Sequence, residues 1–202
     1  KRTAADPGGK TLRNWVEFSR NHKLYRDFDD RELETLFAAS YPFMKRYTHM
    51  PQLVLGMAFG WAVPMAFTAL QNQTPPVAWV LFAAAVIWAL IYDTMYAMVD
   101  REDDLKIGIK STAILFGQHD RALIGIFQLL MLGLLAVAGV LAGLGVFYWL
   151  GLLAGGLMFL YQQWLIRKRE PDSCFRGFLN NNWFGMTIFC GIAADYYLGA
   201  QI

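Results

Sequence analysis

Evenly spread charge and a cysteine framework are what this sequence has least of. Only 17% of its 202 residues are charged, against about 25% in soluble domains. That deficit argues against an ordinary soluble globule. Its two cysteines, Cys174 and Cys190, fall in a polar loop and in an apolar run. They make no disulfide framework and report no redox compartment. The net charge is only +2, so the balance gives no reason to expect a nucleic-acid partner. A secretory leader is not indicated either. The N-terminal stretch is polar, and the apolar runs are too long and too many.

Those apolar runs dominate what is present. A spanning helix needs about 20 apolar residues to cross a core roughly 30 Å thick. Five segments qualify: 51–70, 77–99, 122–144, 146–166 and 183–200. The connectors between them alternate in charge. Lys45 and Arg46 precede the first run, and Gln71–Pro76 has no Lys or Arg. The next connector has Arg101, Lys106, Lys110 and Arg121, and the turn near Gly145 again has none. Arg167, Lys168, Arg169 and Arg176 follow. Strict alternation is what the positive-inside rule requires of real spans, and it puts the basic connectors in the cytoplasm. The expectation is an all-α polytopic bundle of about five spans in a lipid bilayer.

Two parts differ in character. Residues 1–40 hold eight of the 18 Lys/Arg and seven of the 16 Asp/Glu. Forty such residues cannot bury a core alone. They read as a polar segment distinct from the membrane domain, 41–202. Within the spans, Gly56/Gly60, Gly139/Gly143 and Gly151/Gly155 are each four apart, a spacing that lets helix backbones approach in lipid. The connector "RKREPDSCFRGFLNNN" carries a short amphipathic pattern from Pro171, with Phe175, Phe178 and Leu179 on one side. That pattern suggests a helix lying along the membrane surface.

The chemistry concentrates in "YDTMYAMVDREDDLKIGIKST", Tyr92 to Thr112. Read as a helix continuing out of the second span, it stacks Asp93, Tyr96, Asp100 and Asp103/Asp104 at three- to four-residue steps. Like charges at that spacing repel, and Asp is a poor helix former. A cation would offset the repulsion. Oxygen ligands with no His or Cys nearby select a hard ion, and Mg²⁺ fits best. Mg²⁺ usually shares itself between one or two carboxylates and substrate phosphates. Lys106 and Lys110 follow at a four-residue step, placed to meet phosphate oxygens. Glu102 reads as an ordinary solvated charge. Asp93 does not, because it ends an apolar span, where an ionisable group is functional by default.

This stretch resembles the second Asp-rich motif of the UbiA superfamily of membrane prenyltransferases. Tyr41–Phe67, Tyr92–Gly117 and "NNNWFG" (Asn180–Gly185) all look like its 4-hydroxybenzoate polyprenyltransferase branch. The resemblance runs from about Tyr41 to the C-terminus. It implies Mg²⁺-dependent transfer of a polyprenyl group from a polyprenyl diphosphate to the ring of 4-hydroxybenzoate, in ubiquinone biosynthesis at a bacterial inner membrane. It makes Asp93, Asp100 and Asp104 the candidate catalytic and metal-binding residues, with Asp103 next for the metal. Lys45, Arg46, Lys106 and Lys110 become the anion contacts, and Tyr96 orients a carboxylate or lines the acceptor pocket.

The family pattern also has a first Asp-rich motif, N-D-x-x-D-x-x-x-D, which this sequence lacks. Asp27–Asp30 lies on no apolar run and is a poor substitute. Two readings follow: an enzyme, with a partner subunit supplying the missing half, or a truncated or chimeric non-catalytic fragment that keeps one metal/diphosphate half-site. An ion-translocating bundle is disfavoured, because the carboxylates sit at a span mouth and not at the midplane. The topology has a direct check. A cysteine placed at position 74 should react with an impermeant thiol reagent from the non-cytoplasmic face, and labelling from the cytoplasm overturns it.

Overall fold

A computed structural model describes residues 44 and 47–199. The polar segment 1–40, with Asp27–Asp30, and the candidate contacts Lys45 and Arg46 lie outside the described residues. Those residues are helical with no strand among them.

The first span is two helices, α1 (Pro51–Gly60) and α2 (Ala62–Gln71). Pro64 explains the interruption. It has no N–H to give the Gly60 carbonyl one turn back, and its ring crowds that carbonyl. Pro75 and Pro76 then start α3 (Pro76–Val99), where a fixed φ suits the first turn and no N–H is missed. After α3 come two short helices, α4 (Arg101–Ile107) and α5 (Thr112–Phe116). Gly108 ends α4 in the left-handed conformation, at φ 71°. Ser111 caps α5, its hydroxyl accepting from the Ile114 N–H at 3.4 Å.

The long helices α6 (Asp120–Leu141), α7 (Val146–Leu165) and α8 (Pro171–Leu198) complete the chain. Four helical segments are long and apolar enough to cross a membrane: 51–71, 76–99, 112–141 and 146–168. The fifth, α8, has the length, about 42 Å at 1.5 Å per residue. Its charged and amide-rich first half lowers its apolar character. The chain is an integral membrane protein. Leu129, Val137 and Val140 on α6, and Leu150, Leu153 and Leu157 on α7, stay exposed, as lipid-facing side chains do.

The expected surface helix at Pro171 does not form separately. It is the first half of one continuous α8. Two of the asparagines of "NNNWFG", Asn180 and Asn181, have their amides engaged within the helix bundle. Asn181 Nδ2 donates to the Gly177 carbonyl at 3.1 Å, and Asn180 Oδ1 accepts from Gln162 Nε2 at 3.1 Å.

Helix α3 is central, packing against α1, α6 and α8, and α7 lies along α8. Ile91, Met95, Ile124, Tyr148 and Phe184 are almost fully buried between them. Phe159 and Phe184 stack at 4.1 Å. Small residues set the closest approaches. A Cβ on Gly56 would come within 2.8 Å of the Val86 carbonyl, and one on Gly151 within 2.8 Å of the Thr187 carbonyl. Gly60 and Gly155 each abut phenylalanine rings. The third pair divides: Gly139 packs on Tyr148, whereas Gly143 makes the turn after α6 at φ 64°.

Gly151→Leu should therefore push α7 off α8 and destabilise the protein by about 1–3 kcal/mol. Gly133→Leu, with no atom within 4 Å of its Cβ position, should be tolerated. Thermal unfolding in detergent compares them, and equal midpoints refute the close-approach role of Gly151.

Candidate functional site at the basic end of the bundle

The described Lys and Arg side chains gather at one end, where α3 ends and α6 and α8 begin. The Asp-rich stretch lies there, but not as one helix. The α3 helix stops at Val99, Asp100 takes φ −87° and ψ 1°, and α4 restarts at Arg101. The expected ladder of carboxylates on one continuous face is thus broken at Asp100. Three acidic residues follow in the first turn of α4. There, negative charge meets unpaired N–H groups and is stabilised, whereas in mid-helix it would only repel.

The predicted residues fall into two sets. Asp93, near the end of α3, and Asp100, at the break, are half-buried, and Asp104 is buried. The Asp104 N–H donates to the Asp100 carbonyl at 2.8 Å, which fixes α4 on the break. Asp103 and Lys106 instead form an exposed ion pair at 2.8 Å. That hydrogen bond to the Asp103 carboxylate, and then its charge, raises the Lys106 ammonium above its usual pKa. Lys110 Nζ donates to the Tyr47 carbonyl at 3.4 Å, tying the segment to the chain just before α1. Tyr96 is partly exposed and joins an aromatic cluster, with ring centroids 5.2 Å from Phe178 and 6.4 Å from Phe175.

Buried polar contacts hold this end in place. Thr94, one residue after Asp93, shares a 2.7 Å hydroxyl–hydroxyl bond with Thr112. The Thr112 N–H donates to Gln52 Oε1 at 3.3 Å, so α1, α3 and α5 meet there. Trp88 Nε1 donates to Asn181 Oδ1 at 3.1 Å across α3 and α8.

The residue that sequence reasoning missed is Asp120. Its side chain is inaccessible to solvent, and both its oxygens are engaged. Arg101 reaches it from α4, and Arg169 Nε donates to it at 2.9 Å from the turn before α8. Bonding to that carboxylate also raises the Arg169 guanidinium above its ordinary pKa. In sequence Asp120 looks like a helix-start acid. Its partners, 19 and 49 residues away, were not readable.

Among the described residues, no three His, Cys, Asp or Glu side chains come together as a group able to hold a metal ion. A cage of protein ligands does not fit. The donor chemistry does fit a hard cation shared with phosphate oxygens, for which one or two carboxylates suffice. The buried Arg101 Nε beside them has no hydrogen-bond partner.

A bundle of long apolar helices, with its described cations and all its described carboxylates but Asp195 collected at one end, defines a polytopic membrane protein with a charged site at one face. Which one follows from comparison. The model of the UbiA prenyltransferase family matches residues 35–188, and the chain belongs to that family. A 4-hydroxybenzoate octaprenyltransferase of Alkalilimnicola ehrlichii is 64% identical over 162 residues, which cover 80% of this chain and 55% of that protein. An Escherichia coli protein of the same name is 57% identical over 157 residues, 78% of this chain and 54% of that one. The chain spans about half the length of these curated relatives. The apo structure of a UbiA homolog from Aeropyrum pernix K1 superposes with a TM-score of 0.71, over 93% of this chain and 70% of that one. At 20% identity this last likeness concerns the fold alone.

Asp120→Ala should strand two cations and destabilise the protein by about 3 kcal/mol, the low end for breaking a buried pair. The low end applies because Arg101 and Arg169 keep some contact with solvent. A melting temperature equal to that of the unaltered chain would refute the pinning role.

Proposed function

We propose that this chain forms part of a 4-hydroxybenzoate polyprenyltransferase and carries a carboxylate-lined part of its polyprenyl diphosphate site. The observation that carries this is the family match over residues 35–188, which contains the whole Asp93–Asp104 stretch. Relatives at 64% and 57% identity that carry the name 4-hydroxybenzoate octaprenyltransferase support it.

In this reading Asp93, Asp100 and Asp104 are the residues that would hold Mg²⁺. When bound, Mg²⁺ neutralises charge on the leaving diphosphate. The chain's own side chains do the rest. Lys110, and Lys106 once drawn from Asp103, meet phosphate oxygens as point charges; Lys45 and Arg46 are further anion contacts. Tyr96 and its phenylalanine neighbours offer an aromatic wall for the acceptor ring, and their bulk keeps water from the allylic carbon. The reaction joins that carbon to the ring carbon ortho to the phenol hydroxyl, breaks its bond to the diphosphate oxygen, and releases the ring proton. The charged end is the cytoplasmic face of a bacterial inner membrane.

A second reading, a half-site that binds substrate without turning it over, is favoured by one observation. No three carboxylates converge among the described residues. A partner subunit would then complete the site.

Binding tests the shared core of both readings. Mg²⁺ should promote binding of a non-hydrolysable polyprenyl diphosphate to the purified chain, and EDTA should reverse it. Asp93→Ala and Asp100→Ala should each abolish the Mg²⁺-dependent component, and unchanged affinity would remove these residues from the metal site. Prenyl transfer to 4-hydroxybenzoate separates the readings. Losing transition-state charge stabilisation typically costs at least about 10²–10³ in rate, so a half-site would show little turnover and a complete site robust turnover.

A further inference from the structure

The turn between α7 and α8 builds a second charged site. Arg169 takes the left-handed conformation, at φ 57°, and this divides the run Arg167-Lys168-Arg169. Arg169 turns in to Asp120, while Arg167 and Lys168 are exposed. They join Arg176 of α8 around a cavity of about 310 Å³, with Tyr161 and Trp164 in its wall. Three cations there face one carboxylate, Glu170, which lies 3.8 Å from Lys168. The Arg167 guanidinium sits 4.2 Å over the Trp164 ring. Arg176 Nη2 donates to Ser173 Oγ at 3.3 Å.

An apolar groove adjoins it. Leu157 and Leu160 line a cleft of about 610 Å³ between α6 and α7, with Leu132 and Gly156. Positions 157, 160, 161 and 164 share one face of α7. Leu160 of the groove and Tyr161 of the basic cavity are consecutive. No residue of the Asp-rich stretch lines either space.

We propose that this is a binding site for an anionic phospholipid. The phosphate head group lies among Arg167, Lys168 and Arg176, and an acyl chain lies in the α7 groove. Tyr161 and Trp164 mark the depth at which amphipathic rings settle, between head group and chain. Basic pockets at the ends of membrane helices attract anionic head groups. A free phosphate or diphosphate shares the head-group chemistry but leaves the groove empty.

Native mass spectrometry of the purified full chain, titrated with phosphatidylglycerol in neutral detergent, tests this. Phosphatidylglycerol should bind in preference to phosphatidylcholine. The triple variant Arg167→Gln, Lys168→Gln, Arg176→Gln should weaken it on the order of a hundredfold, from about fivefold per basic residue. Glu170→Gln should strengthen it severalfold. Equal affinity for the two lipids, or an unaffected triple variant, overturns the proposal. Displacement by inorganic phosphate or diphosphate at concentrations comparable to the lipid also overturns it, in favour of a soluble-anion site. If the triple variant fails to fold, Glu170→Gln decides alone, and unchanged affinity there counts against the site.

Discussion

One buried carboxylate sets the geometry of the charged end. A charge inside a membrane bundle must find partners within the protein, because lipid offers none. Asp120 takes its partners from two separate segments, Arg101 and Arg169. The first sits inside the Asp-rich stretch, one residue after Asp100 and three before Asp104. Holding Arg101 therefore holds the break at Asp100 and the start of α4. The second fixes the turn that feeds α8. Without Asp120, both guanidiniums would lose the carboxylate that joins α4 to the turn before α8.

Next to the charged end, the bundle relies on neutral amides. Gln128 Nε2 donates to Gln162 Oε1 at 2.9 Å, Gln162 Nε2 to Asn180 Oδ1 at 3.1 Å, and Gln163 Nε2 to Gln128 Oε1 at 3.0 Å. The chain of bonds crosses α6, α7 and α8. Each such bond contributes modestly in a membrane, about 0.6 kcal/mol on average. Their larger effect is on register. A slip of α7 by one residue would strand several buried amides together, which apolar packing alone would not forbid.

How much of this was legible in the sequence depends on the range of each interaction. Span length, basic-connector alternation and the Gly56/Gly60 and Gly151/Gly155 approaches are local patterns, and they appear in the fold as expected. The break at Asp100 was not expected, although its cause is local. Asp at 100, 103 and 104 disfavours a helix interior and favours a helix start, and the uninterrupted period obscured that. The joining of the Pro171 segment to the last span was misread for another reason. Three consecutive asparagines suggest a loop until Gln162 and Trp88 are known to lie opposite them. Asp120 was wholly illegible as a pin, since nothing near it in sequence names Arg101 or Arg169.

The tripeptide Arg167-Lys168-Arg169 shows why composition underdetermines role. On a continuing helix, three successive cations would fan out around the axis at about 100° steps, all in the head-group zone. The short 3-10 turn Ile166–Lys168, followed by a left-handed residue, sends them to opposite sides. A β-branched residue at 169 would resist that conformation. Losing the turn would cost Asp120 one of its partners and add a fourth cation to the surface that holds Arg167, Lys168 and Arg176. The inward ion pair and the outward basic cavity thus depend on the same backbone angle, so a change at position 169 should disturb both.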